Sequence, residues 1–187
     1  MSTLFFINNL HFSIEVFGAL VFFILAWLAF DAYLIRKDSL TLARCLGFVL
    51  LTVWQLAFAF NPTSDPYQYI WHIVVSVGII LIVAGLIRES FFQNLKLNGV
   101  FILPVFRDYF VFFHGFISLG FFIVSLLSFR QYKNQHNRSI FSYASGFLFL
   151  SGGTLVATFY DPTSSVVLFG LGHALEIAGF LDVFDDL

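Results

Sequence analysis

Histidines placed inside apolar stretches are the residues of this sequence that could do chemistry. Four of the five histidines lie in or at the ends of long apolar stretches, namely His11, His72, His114 and His173. An imidazole is costly to bury in a bilayer without a partner, so such a histidine typically ligates a metal, relays protons or hydrogen-bonds to a neighbouring helix. Two neutral imidazoles approaching from opposite sides could also ligate a b-type haem.

Two glutamates share helix faces with two of these histidines. Glu15 follows His11 by four residues, and Glu176 follows His173 by three, spacings at which side chains meet on one face of a helix. A face that carries histidine and glutamate could bind a divalent metal or relay protons. The alternative is a carboxylate that only hydrogen-bonds the neighbouring imidazole. All three hypotheses remain open at this point.

The composition identifies the environment that must hold these side chains. Of the 187 residues, 59% are hydrophobic and 11% are charged, which excludes a soluble domain with a water-facing surface. A net charge of -2, without a basic run, excludes nucleic acid as a partner. The single cysteine, Cys45, excludes an internal disulfide and a cysteine-based metal centre. We therefore predict an all-α, multi-pass integral membrane protein whose first partner is the lipid bilayer.

Six stretches are long and apolar enough to be membrane-spanning helices, for which about 20 residues are needed. They lie at 12–34, 41–60, 69–87, 109–129, 140–160 and 165–184. The first has full spanning length and no basic segment before it, so we expect a membrane helix and no cleaved signal peptide. Residues 90–108 are polar in their first half and apolar around Pro104, and they are interpreted as an interfacial or re-entrant segment.

The distribution of lysine and arginine leaves six or seven crossings open. Six crossings, with the N-terminus outside, place six of these cations inside and three outside. A seventh crossing through 90–106 would leave only Arg107 outside. We choose six crossings, because the polar residues of that segment are unfavourable in hydrocarbon.

A weak internal repeat predicts two three-helix units. The turn at 61–64 recurs at 161–164. After small shifts, the matched histidines are His72 with His173 and His11 with His114. The predicted division is a first unit at 1–89, a linker at 90–108 and a second unit at 109–187. With six crossings the two units are inverted in the membrane, as in many transporters, and with seven they are parallel.

The direction of the helices then predicts which histidines meet. Helices 1 and 3 run the same way, so His11 and His72 begin near one membrane face, and the same argument pairs His114 with His173. Each pair could hold one haem b through two imidazole ligands. The arrangement is similar in outline to the membrane cytochromes that hold two b-type haems with four histidines. That resemblance implies electron transfer across the membrane.

Three functions stay open. No nucleotide-binding loop, nucleophile elbow or zinc-protease motif occurs in the sequence, so an autonomous enzyme is not expected. The first hypothesis is a redox subunit or small b-type cytochrome, and the second is a non-catalytic sensor or assembly subunit bound to other membrane proteins. The third is a small-solute or ion transporter with inverted repeats, in which Glu15, Asp31 and Glu176 would be the coupling groups.

Overall fold

All secondary structure in the described part of the chain is α-helical. The computed structural model describes residues 3–60, 68–91, 109–159 and 162–185. The six helices are α1 (Thr3–Arg36), α2 (Ser39–Phe60), α3 (Gln68–Phe91), α4 (Tyr109–Gln135), α5 (Arg138–Phe159) and α6 (Pro162–Asp185). Each helix overlaps one of the six predicted stretches, so the predicted helix bundle is confirmed, although α1 begins nine residues earlier and α4 ends six residues later than predicted. Nearly all of the predicted linker at 90–108 lies outside the described residues.

Five helices are long and apolar enough to cross a membrane. Their spanning stretches are Asn9–Arg36, Ser39–Phe60, Ile70–Ile87, Phe113–Gln135 and Arg138–Phe159. In α6 the apolar stretch that the structure describes is shorter, from Ser165 to Gly179. Large apolar side chains such as Phe23 and Trp27 point outward from the bundle, as expected of a surface that faces lipid. These features fit an integral membrane protein.

The α1–α2 and α4–α5 connections are tight turns of the same design. Lys37 and His136, which are 99 positions apart, both adopt a φ of 54°. In each turn the N–H of this residue donates to the carbonyl four residues earlier, at 2.8 and 2.7 Å, as in a helix C-cap. The next residue, Asp38 or Asn137, caps the following helix with its side-chain oxygen, which accepts a backbone N–H at 2.9 or 2.8 Å. Short turns of this kind make α1 antiparallel to α2, and α4 antiparallel to α5.

The helices form a ring in chain order, which α1 closes by packing against α6. Contacts along this closing junction fix its direction. Ile14 on α1 lies beside Gly170 on α6, and Gly18, one turn later on α1, lies beside His173, one turn later on α6. Because both positions increase together, α1 and α6 are parallel.

The junction between α3 and α4 is also parallel. His72 meets His114 near the start of both helices, and further along both helices Ile79 packs against Gly120. Consequently α1, α3, α4 and α6 all begin on one side of the bundle, called the upper side below. The end of α3 and the beginning of α4 lie on opposite sides. The two three-helix halves are thus parallel, and the inverted arrangement implied by six crossings is not the one observed.

This correction has a direct test in cysteine labelling. With Cys45 replaced by alanine, single cysteines at Lys37 and His136 should react with a membrane-impermeant maleimide from the same side of sealed vesicles. Both positions are exposed and lie in equivalent turns on the lower side of the bundle. Right-side-out and inside-out vesicles labelled in parallel provide the comparison. Labelling of the two cysteines from opposite sides would restore the inverted arrangement.

Four phenylalanines fill the centre of the bundle. Phe22, Phe48, Phe121 and Phe147 come from α1, α2, α4 and α5, and all are buried. Phe22 lies 6.5 Å from Phe48 and 6.4 Å from Phe147 between ring centroids, while Phe121 lies 5.7 Å from Phe147. Ring contacts at these separations add to the stabilisation from buried area, so this aromatic core holds both halves together.

Candidate functional site

His173 lies in the middle of α6, where glycines allow α5 and α6 to pack closely. A Cβ atom on Gly146 of α5 would lie 2.7 Å from the carbonyl oxygen of Gly172, so only glycine permits this close approach of α5 and α6. The same Cβ would lie 2.6 Å from Cγ of Glu176. The α5–α6 contact therefore fixes the position of the acidic residue one turn after His173.

His173 and Glu176 form a fully buried pair. The imidazole Nδ1 lies 2.9 Å from Oε2 of Glu176, and the two side chains are 1% and 0% exposed. With its proton on Nδ1, the imidazole donates to the carboxylate. The structure thus confirms that the spacing of three residues brings these two side chains together.

Gln55 on α2 completes this cluster, and sequence analysis missed it. Its amide nitrogen lies 3.4 Å from Nε2 of His173, and the side chain is buried. When Nδ1 carries the proton, Nε2 is an acceptor and the amide N–H of Gln55 can donate to it. An amide within the apolar helix α2 was the available signal. We call His173, Glu176 and Gln55 the buried polar cluster.

The backbone of α1 forms one wall of the cluster. A Cβ on Gly18 would lie 2.4 Å from Nε2 of His173 and 2.6 Å from the amide nitrogen of Gln55. Phe22 presents its ring edge-on to the imidazole, with 5.2 Å between centroids and 86° between planes. A side chain at position 18 would displace the imidazole, so this glycine is part of the site.

Several acceptor atoms at and near the cluster have no hydrogen-bond partner among the described residues. They are Oε1 of Glu176, Oε1 of Gln55 and Oε2 of Glu15. An unpaired buried acceptor costs about 1–3 kcal/mol, and more if it is charged. A proton on a carboxyl group converts an acceptor into a donor and removes its charge. The two carboxyl oxygens, those of Glu176 and Glu15, therefore suit a site that takes up protons.

A second His–Glu pair lies above the cluster on α1. Nε2 of His11 is 3.6 Å from Oε1 of Glu15, with side chains 28% and 7% exposed. Residues 11, 15 and 18 share one face of α1 because they are four and three positions apart. Since Gly18 touches His173, this face leads from a partly exposed imidazole at the upper side to the buried polar cluster.

His72 and His114 meet at the α3–α4 junction. Their ring centroids are 5.5 Å apart with 73° between the planes, and Phe113 stacks on His72 at 5.2 Å. These two histidines belong to different predicted pairs, because the prediction matched His72 with His11 and His114 with His173. The b-type haem stays a prediction. Within the described ranges, no three His, Cys, Asp or Glu side chains are grouped to hold a metal ion.

Comparison of the chain with known protein families, curated proteins and solved structures finds no match. The fold and the site therefore define the protein only as a class. It is a helix bundle suited to a membrane, with a buried histidine–glutamate–glutamine cluster between the two halves.

Proposed function

We propose that the protein transports protons across the membrane and that His173 and Glu176 are its buried proton-binding pair. The observation that carries this proposal is a hydrogen-bonded acid and base, both fully buried in a helix bundle suited to a membrane. Ionisable side chains at such depth are expensive to bury and typically mark ion or proton pathways.

The net charge of the His173–Glu176 pair explains why the pair can bind a further proton. With a single proton on Nδ1, the pair is a neutral imidazole and a carboxylate, and its net charge is negative. A second proton makes the net charge zero, either as imidazolium with carboxylate or as imidazole with carboxylic acid. In a low-dielectric interior the neutral state is much less costly than the charged one. Uptake of a proton and its later release therefore cycle the pair between two charge states.

An upper route to the pair runs along α1. His11 is half-buried at the upper end and lies beside Glu15, which lies one turn above Gly18 on the same helix face. Imidazole and carboxyl groups both accept and donate protons, as a relay requires. We assign His11 and Glu15 to proton delivery from the upper side.

Serine hydroxyl groups of α5 lie below the His173–Glu176 pair. Gly179, one turn after Glu176, would place a Cβ atom 3.2 Å from Cβ of Ser142 and 2.7 Å from the carbonyl oxygen of Ser139. Oγ of Ser139 is buried and has no hydrogen-bond partner among the described residues. Serine hydroxyls both donate and accept, so α5 supplies groups suited to proton release towards the lower side.

A proton fits the buried polar cluster better than haem or a metal ion does. The two ring nitrogens of His173 face Glu176 and Gln55, and Gly18 lies against the ring, so a macrocycle would have to displace all three. A metal ion needs several converging ligands, and the described residues bring only this one carboxylate to His173. A proton needs neither the space of a macrocycle nor a set of converging ligands.

Proton flux in liposomes tests the proposal. Purified protein is reconstituted with an internal pH-sensitive dye, and a potassium gradient with valinomycin drives proton entry. We expect flux above that of empty liposomes and a reduction of roughly tenfold or more in Glu176→Gln, because the amide cannot exchange the proton. Asp31→Asn makes the same carboxyl-to-amide change at an exposed position outside the buried polar cluster, and unchanged flux in this variant would also remove Asp31 from the coupling groups of the transporter hypothesis.

Two outcomes would overturn the proposal. The first is a flux no greater than that of empty liposomes, and the second is a flux in Glu176→Gln equal to that of the wild type. A visible absorption spectrum recorded on the same preparation adds a third arm. A low-spin haem spectrum that is lost in His173→Ala would favour the electron-transfer hypothesis over proton transport.

A further inference from the structure

The two halves of the bundle use the same glycine contact between their second and third helices. A Cβ on Gly47 of α2 would lie 2.6 Å from the carbonyl oxygen of Gly78 on α3. A Cβ on Gly146 of α5 would lie 2.7 Å from the carbonyl oxygen of Gly172 on α6. Gly47 and Gly146 are 99 positions apart, the same spacing as that of the two equivalent turns. The α2–α3 and α5–α6 pairs are therefore packed in the same register.

This shared register identifies the residue of α3 that occupies the position of Glu176 on α6. The Cβ on Gly47 would lie 2.6 Å from Ile82, and the Cβ on Gly146 would lie 2.6 Å from Glu176. Ile82 and Glu176 each follow the contacted glycine of their helix by four residues. Three residues before them stand Ile79 and His173, so Ile79 occupies the position of the histidine.

The first helix of each half also packs against this position through a glycine. A Cβ on Gly18 of α1 would lie 2.4 Å from His173, and a Cβ on Gly120 of α4 would lie 2.4 Å from Ile79. Gly120 lies about one helical turn beyond the residue that follows Gly18 by 99 positions. In both halves a glycine nevertheless makes room for the side chain at this position.

The aromatic core repeats with the same spacing. Phe22 packs on Phe48 in the first half, and Phe121 packs on Phe147 in the second. Each second-half residue follows its counterpart by 99 positions. Together with the parallel junctions α1–α6 and α3–α4, this places the halves around an approximate two-fold axis along the bundle.

We infer that the bundle is a fused pair of equivalent three-helix units, and that Ile79 and Ile82 form the apolar twin of the His173–Glu176 site. Only one of the two equivalent sites then carries ionisable side chains. The packing matches His173 with Ile79, whereas the sequence comparison matched it with His72. It follows that the fold itself does not require the polar pair, since the twin position is packed with isoleucine. This inference rests on the proposed function only where proton flux is measured.

Transfer of the twin residues into the polar site tests the equivalence. We expect His173→Ile with Glu176→Ile to fold and to melt in detergent within about 10 °C of the wild type. Buried ion pairs replaced by apolar residues of similar size are often tolerated, and the remaining cost, about 1–3 kcal/mol, is that of the Gln55 amide, which loses its partner. In infrared spectra recorded at acidic pH, where the pair holds its second proton, the same protein should lose one buried carboxyl band. A double variant that fails to fold, or melts well below the wild type, overturns the inference.

The reverse graft tests whether the twin position can hold the site. Ile79→His, Ile82→Glu and Thr154→Gln are introduced into the double variant; Thr154 follows Gln55 by the same 99 positions, and both are buried. We expect the buried carboxyl band to return, with hydrogen–deuterium exchange as slow as that of Glu176 in the wild type. A folded graft whose new carboxyl exchanges as fast as an exposed one contradicts the equivalence, as does a graft that fails to fold.

The two measurements separate this inference from the proposed function. If the carboxyl band returns in the graft but neither the wild type nor the graft conducts protons, the equivalence of the sites stands and proton transport is wrong. If the wild type conducts protons and the double variant unfolds, proton transport stands and the equivalence is wrong.

Discussion

His173→Ile alone is expected to lower the free energy of unfolding by about 3–5 kcal/mol, because it leaves a buried carboxyl group without its partner. Oε2 of Glu176 accepts its hydrogen bond from His173, and Oε1 has no partner among the described residues. The penalty is that of an uncompensated charge or acid in an apolar interior. Equilibrium unfolding in mixed detergent micelles measures it.

The double variant His173→Ile with Glu176→Ile is the control for this result. It removes both members of the pair, so most of the lost stability should return, and the two substitutions should be strongly non-additive. A single variant as stable as the double one would show that the two buried side chains are not coupled.

Phe22→Ala should also destabilise the bundle by about 3–5 kcal/mol, the usual cost of removing a buried aromatic ring. Phe22 is 0% exposed and contacts Phe48, Phe147 and the imidazole of His173. The cavity would therefore open at the point where the aromatic core meets the buried polar cluster. The same unfolding assay provides the measurement.

The neighbouring residue offers a matched control for the phenylalanine variant. Phe23 is 55% exposed, so Phe23→Ala leaves no internal cavity and should cost about 1 kcal/mol or less. In the flux assay, Phe22→Ala should also lower proton transport, since the imidazole loses one of its walls. Equal losses of stability in the two variants would contradict the described orientation of α1.

Local features of the sequence determined the class of the protein and the approximate positions of its helices. Apolar stretches of spanning length need no distant contact to be recognised, and Asp38 and Asn137 cap helices through residues only two or three positions away. The pairs His11–Glu15 and His173–Glu176 were equally predictable. Helix geometry alone brings side chains at these spacings together.

The tertiary structure alone decided which helices meet and in which direction. Gln55 joins His173 across 118 positions of sequence, and no local spacing predicts such a contact. The parallel α3–α4 junction brought His72 to His114, whereas the prediction had paired each with another histidine. Contacts of this kind depend on side-chain packing at the junctions, which composition and periodicity do not encode.

The predicted internal repeat illustrates the same difference between local pattern and tertiary packing. The sequence pattern predicted two three-helix units and matched His72 with His173, because apolar helices draw on few residue types and a shared histidine dominates the match. Packing follows glycines that admit a neighbouring backbone, and by the inferred equivalence these glycines match Ile79, not His72, with His173. The sequence by itself determined that a histidine and a glutamate lie together on one face of an apolar helix. Only the tertiary structure decided that Gln55 and Gly18 enclose them, because close helix packing depends on which faces meet.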